Sequence, residues 1–457
     1  MHLAASNEAH GLDLIYYFGT RGLAIDARDR TIAETLLERR FPDGEESKNN
    51  LLHFCIVENR LDLAKIALAF GEIMLNECGQ DGFRAIHLAA RFADLDMCKW
   101  LIGEGARAEE NVLHLAALNH SHGAEIIFYF VSRLGMKVNA VNKEFLSPLH
   151  NALSVENIKS ADMLVRLGAN LRVKIHMENL VHFSIRLNKL KSAKFCHAKD
   201  KKLIHKLNQH TLSALHNAAQ HASKEMCRWL VEECGVRPKE LISYYMGYTV
   251  LHCACWNKEH GSEVVDYLVT DLGLDPDSMS QYGWTPLHLA LFHNNPAVAE
   301  KLVSLDADIR LSFTYHNYLH ISVKKNYFSL VKLMHQKCPE LVTRCGLYGR
   351  NTLHFAARYA DVEIVKWLVS QCAFNVHSKS KRTKSNVLHY AAKNKAHGRD
   401  IIRFFLSSYE MDVNKKNIFG FTPLHYAAKH ADIVEELQNI SSNKKDSSCI
   451  CGKMVFK

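Results

Sequence analysis

Apolar positions recur along this chain at helical spacing, in short bursts separated by turn residues. One burst, Val362-Glu363-Ile364-Val365-Lys366-Trp367-Leu368-Val369, places its apolar side chains on one face of a helix. The pattern restarts after each turn, and each restart predicts two short helices followed by a finger. Gly82, Gly247, Gly283, Gly349 and Gly420 mark those fingers, because glycine suits the backbone of tight turns. The first helix of each pair is centred on a histidine: His53, His87, His114, His150, His182, His216, His252, His288, His320, His354, His389 and His425. Successive gaps run from 27 to 36 residues. An aliphatic residue precedes every one of these histidines, and Ala, Ser or Cys follows two places later.

Three residues before the histidine stands the predicted helix cap. It is Asn, Ser or Thr in eleven of the twelve cases, with Arg84 the exception. Such side-chain oxygens accept from the free N–H groups of the first helical turn, each cap being worth about 0.5–2 kcal/mol. Pro148, Pro286 and Pro423 follow the cap, at a position where no N–H is needed. Alanines after the histidine, such as Ala89, Ala152 and Ala290, allow neighbouring helices to approach closely.

Thr285-Pro286-Leu287-His288-Leu289-Ala290 and Thr422-Pro423-Leu424-His425-Tyr426-Ala427 carry a complete T-P-L-H-x-A core, and Ser147-Pro148-Leu149-His150 is a near copy. On these motifs and their period the chain resembles the ankyrin-repeat family over nearly its whole length. The resemblance implies an all-α solenoid of helix-turn-helix units with short β-hairpin fingers. It implies about twelve complete repeats within residues 1–440. It also implies that each anchor imidazole bonds backbone groups inside the stack.

A second period lies above the first. Four repeat types recur in order: one with Trp100, Trp229 or Trp367; one with His122-Gly123, His260-Gly261 or His397-Gly398; one with the best T-P-L-H; and one with Asn50, Asn179 or Asn317. His114 to His252 is 138 residues and His252 to His389 is 137, so a block of four repeats was duplicated. Against that register, the repeats within residues 1–50 are incomplete near 19–31, where local disorder is expected. One finger is cut short near 105–110. A natural deletion and an incomplete or mis-spliced reading of the gene both stay open as explanations. Residues 441–457 read as a disordered tail.

Composition removes several function classes. The 457 residues are 47% hydrophobic, ample for a core, yet no apolar run reaches the roughly 18 residues of a membrane helix. The first residues lack a secretory signal. The 13 cysteines are scattered, which points to thiols in a reducing compartment, the cytoplasm with the nucleus as an alternative. There is no glycine-rich phosphate loop, no G-x-S-x-G and no H-E-x-x-H. One histidine per repeat cannot supply a four-ligand metal centre. His252-Cys253-Ala254-Cys255 and Cys449-Ile450-Cys451 are too sparse to serve. No enzyme, metal or cofactor is expected.

Binding remains. The resemblance implies a non-enzymatic scaffold or adaptor that holds an unidentified partner protein on a concave surface of finger tips and inner helices. Six residues before the histidine, the tips include Met246, Tyr282, Tyr348 and Phe419. Aromatic and methionine tips suit protein contacts, although they could equally pack on the next finger. Two basic clusters offer a rival reading, binding to nucleic acid or an anionic membrane surface. One contains Lys189, Lys191, Lys194, Lys199, Lys201, Lys202 and Lys206; the other contains Lys379, Lys381, Arg382 and Lys384. The net charge of +9 permits acidic partners without demanding them. Lys381-Arg382-Thr383-Lys384 also passes as a short nuclear-import motif. A third reading is that the chain is one segment of a larger protein, such as a channel, a ubiquitin-ligase adaptor or a toxin.

Overall fold

A computed structural model describes residues 51–443, other than 70–74, 80–81, 110, 174–177, 209–211, 244–245, 314–315, 373 and 429. The incomplete repeats expected within 1–50 lie outside the described residues, as does the expected tail from 444 on; its first residues, 441–443, instead continue the helix Ala431–Asn443. The chain divides into two compact units, the first ending at Ala214 and the second starting at Leu215.

Both units are solenoids of paired helices, one pair per anchor histidine. In the first unit the pairs include Ala85–Phe92 with Leu95–Gly103, Val112–Ala116 with Gly123–Ser132, and Pro148–Ser154 with Ile158–Arg166. In the second they include Val250–Ala254 with Gly261–Asp266, Pro286–Phe292 with Pro296–Ser304, Tyr318–Lys324 with Phe328–Lys337, Thr352–Tyr359 with Val362–Gln371, and Val387–Ala391 with Gly398–Ser408. Helices this short are marginal alone, so packing sustains them. Fully buried Leu, Ile and Val side chains fill the space between helices, and the alanines two places after the histidine are shut off from solvent.

The fingers are shorter than hairpins. Among the described residues, only Ser312–Phe313 and His316–Asn317 pair as strands, with an isolated bridge between Ile242 and Thr249. The rest are tight loops. Two backbone bonds close such a loop: Ser280 N–H donates to the Trp284 carbonyl (2.9 Å) and Gly283 N–H to the Ser280 carbonyl (3.0 Å), and Asn417 N–H donates to Phe421 (2.9 Å) and Gly420 N–H to Asn417 (3.0 Å). Loops of this length leave no room for a second ladder bond. Near 105–110 the finger is missing: the chain turns through Gly105 and enters the helix at Val112.

The caps divide by chemistry. Asn179, Asn317, Asn351 and Asn386 accept the expected helix N–H bonds. The hydroxyls of Ser147, Thr249 and Thr422 turn instead to the Nδ1 atom of their own anchor histidines, at 2.7–2.8 Å. Asn111 caps nothing, because its backbone is already helical where the finger is lost (φ −74°, ψ −13°).

The His-Gly repeats gain a physical explanation. Gly123, Gly261 and Gly398 each begin a second helix directly against the carbonyl of the preceding helix. A Cβ on Gly261 would sit 2.8 Å from the Ala254 carbonyl oxygen and 2.7 Å from Val298 Cγ2. Gly261→Val is therefore expected to lower stability by about 1–3 kcal/mol, as overpacking does. Urea midpoints would read this, and an unchanged midpoint would contradict the close approach.

Candidate interaction surface

The anchor histidines are structural ties between repeats. The backbone N–H of the cap residue donates to the imidazole Nδ1 at Arg84, Ser147, Thr249, Thr285, Asn351, Asn386 and Thr422. Here histidine takes the place that Glu or Gln holds in a capping box. The other ring nitrogen, Nε2–H, donates to a carbonyl of the next repeat: His114 to Leu146 (2.8 Å), His216 to Tyr248 (3.1 Å), His252 to Trp284 (2.8 Å) and His389 to Phe421 (3.1 Å). Nδ1 must then stay unprotonated. Burial pushes His53, His150, His216, His252, His288 and His354 down to about 4, so they are neutral at physiological pH.

Buried asparagines make a second set of ties. Asn257 Nδ2 donates to the carbonyls of Ala219 (3.1 Å) and Ala222 (2.8 Å), and its Oδ1 accepts from His260 N–H (2.9 Å). Asn295 then donates to the carbonyls of Cys255 (3.2 Å) and Asn257 (2.9 Å). Asn119 and Asn157 repeat this arrangement in the first unit, and Asn394 in the second. In another repeat type the tie joins Asn326 to Asp361, and Asn59 to Asp94 in the first unit. The four-repeat period thus extends to the bonding between repeats.

Main-chain bonds also join neighbouring fingers. Gln281 N–H donates to the Met246 carbonyl, Lys381 N–H to Gly349, Arg382 N–H to Tyr348 and Ile418 N–H to Thr383, all at 3.2 Å. Of the tips chosen from sequence, Tyr282 and Phe419 are 67% and 60% exposed, Tyr348 is 39% exposed and Met246 is half-buried. Tyr348, Lys381, Arg382 and Phe419 lie on three successive stitched fingers, while Met246 and Tyr282 lie on an earlier pair. Tyr348 and Gly349 both take positive φ (66° and 68°), a costly backbone for tyrosine. Two guanidiniums flank the Tyr348 ring, Arg382 at 4.7 Å and Arg350 at 5.1 Å from its centroid.

Three stretches, residues 86–175, 181–280 and 353–447, match the family described as ankyrin repeats (3 copies), and residues 52–102 and 259–303 match ankyrin repeats (many copies). The chain belongs to the ankyrin-repeat family. It is 25% identical over 449 residues to the human transient receptor potential cation channel subfamily A member 1, covering 84% of this chain and 39% of the channel. It is 27% identical over 385 residues to alpha-latroinsectotoxin-Lt1a of Latrodectus tredecimguttatus, covering 72% of this chain and 26% of the toxin. The chain therefore spans well under half the length of these relatives. Among solved structures it is similar to the human ASB11 ankyrin repeat domain, at 18% identity and a TM-score of 0.35, covering 56% of this chain and 98% of that one.

Ankyrin repeats are protein-interaction units, and the reactive-looking clusters here are built as core. Thr285, His288 and Tyr318 bond one another at 2.8–3.0 Å but are buried away from any substrate. Burial pushes the Cys253 thiol up to about 12 and that of Cys372, beside His335, up to about 11, which disfavours the reactive thiolate. No group of three or more metal-binding side chains occurs among the described residues. No helix there is long and apolar enough to cross a membrane. The first basic cluster is partly neutralised, since Lys199 pairs with Asp162 at 2.8 Å.

Sequence reading missed one row of the ankyrin surface. Four residues after the anchor histidine, where the first helix ends, the second unit carries Gln220, Trp256, Phe292, Lys324, Arg358 and Lys393. After Gln220 come the aromatic members, and the cationic ones follow. Phe292 is 62% exposed and lies edge-on to Trp284 at 5.3 Å. The signal was the same period at a different offset; the family motif is silent there because the position varies.

Proposed function

We propose that the chain is a scaffold or adaptor that binds a partner protein through its finger tips and the exposed ends of its first helices. The carrying observation is that Tyr282, Phe292 and Phe419 stand largely open on fingers and helices held by buried ties. Large aromatics presented on a preorganised frame lose little entropy on binding, which is how interface hot spots work. The channel and toxin relatives support a companion reading in which this array belongs to a larger assembly. The reading places the chain in the cytoplasm, in keeping with cysteines scattered through the repeats.

Replacing Tyr282, Tyr348 and Phe419 together by alanine is expected to weaken capture of the partner from source-cell extract by about tenfold or more. Thermal unfolding should change little. Unchanged capture by the triple variant would overturn the assignment of these tips.

A further inference from the structure

The second unit segregates its charges. Along its second helices, several cations are matched: Lys301 with Asp266 (3.3 Å), Lys366 with Glu363 (2.9 Å), and Arg399 and Arg403 with Glu436 (3.1 and 2.7 Å). On the first-helix and finger side, Arg350, Arg358, Arg382 and Lys393 make no ion pair among the described residues. Aromatic rings hold them instead. Arg350 lies between Tyr348 and Tyr390, at 5.1 and 5.3 Å. Arg358 lies 5.2 Å from the Tyr359 centroid, and Lys393 Nζ lies 3.6 Å from that of Tyr426. Arg350 Nε and Arg358 Nη1 are shut off from solvent and have no hydrogen-bond partner.

A buried guanidinium N–H without an acceptor is costly, and so is a cluster of like charges. Here Lys393 is held down to about 8 by burial and then by Arg358 and Arg350. The charge cost is relieved by one event, the arrival of an anion that accepts charge-assisted hydrogen bonds from the solvent-facing nitrogens of these half-buried side chains. The surroundings indicate which anion carrier fits. The cations come from successive repeats, and the adjoining stitched fingers carry exposed apolar side chains, Tyr348, Ile418, Phe419 and Phe421. A nucleic-acid duplex or a bilayer would call for a long basic stripe, whereas a few carboxylates among apolar side chains match this patch.

We propose that Arg350, Arg358 and Lys393 form a carboxylate seat, with Arg382 beside it on Tyr348, and that it binds an acidic peptide segment of the partner protein. This rests on the protein-binding reading above and adds the partner's chemistry to it.

The test uses the full chain and a fluorescein-labelled peptide repeating Leu-Glu-Glu, with its Leu-Gln-Gln counterpart as reference, read by anisotropy. The acidic peptide should bind and the glutamine peptide should not. Arg358→Gln with Lys393→Gln should weaken binding by about 10- to 100-fold, the range for hydrogen bonds to charged groups. Lys191→Gln with Lys194→Gln, in the first unit, should not. Absence of binding, equal binding of the glutamine peptide, or equal loss in the Lys191/Lys194 variant would overturn the seat. So would tighter binding of oligouridylate or phosphatidylserine vesicles at the same residues. Melting curves identify any misfolded variant, and Arg350→Gln is the substitute if the pair fails to fold. If the tip variant loses its captured partner while Arg358→Gln with Lys393→Gln retains it, the seat falls and the interaction surface stands. If neither variant loses it, both fall.

Discussion

As pH falls from 6.5 toward 4, the second unit is expected to lose most of its stability. His216, His252, His288 and His354 are held at about 4 in the folded chain by burial, against an ordinary value of 6.5. Between those pH values the unfolded chain takes up protons that the folded chain refuses, so unfolding becomes more favourable with each step of acidification. The stabilisation is complete above pH 6.5 and is lost by about pH 4. Each histidine accounts for about 3 kcal/mol over that range, and four together for on the order of 10 kcal/mol, comparable to the whole stability of a typical domain. The geometry supplies the cause. Protonating Nδ1 would set a ring N–H against the cap residue's backbone N–H, as at Thr249 and Asn351. Glu436, held low by its hydrogen bond to Arg403, adds its loss at lower pH. Above pH 5 the slope therefore belongs mainly to imidazole. Urea midpoints taken at half-unit steps from pH 7.5 to 4.5 should stay nearly level at first and fall progressively once the pH drops to about 6.5. A flat profile down to pH 5 would show that the anchors are not buried as neutral rings.

Such behaviour was partly legible in the sequence. A histidine returning with Leu before it and Ala after it marks a fixed place in a repeated core, and the number and order of helix pairs follow from it. The four-type period was legible too, because His-Gly and Trp residues stand out in the pattern. The asparagine ties escaped for a geometric reason. They follow the anchor by five residues at Asn119 and Asn257, six at Asn326 and seven at Asn157 and Asn295, since the turn between the helices varies in length. A reading tied to one offset sees scattered asparagines. The cationic seat escaped for another reason: Arg350, Arg358 and Lys393 come from different repeats, and only the stacking of the second unit brings them together. Motif residues hold the ankyrin frame and so repeat; residues that meet a partner are free to differ, and period alone cannot select them.

The ties make a final expectation possible. Asn257→Ala is expected to destabilise the second unit by at least about 3 kcal/mol, from three hydrogen bonds whose partners stay buried, at about 1–3 kcal/mol for each orphaned group. The Ala219 and Ala222 carbonyls lie at the end of a first helix, where no intrahelical donor remains for them. His260 N–H begins the next helix and loses its acceptor at the same time. The loss extends to the neighbouring repeat, because Asn295 donates to the backbone carbonyl of Asn257 and depends on its position. Asn257→Asp sharpens the case. It keeps the shape and the acceptor but removes both donors and turns a negative oxygen toward two carbonyls, so it should be at least as harmful as alanine. If the tie were mere packing, aspartate would be tolerated and only alanine would cost stability. Denaturant midpoints at pH 7.5, where His216, His252, His288 and His354 are neutral, would separate the two outcomes.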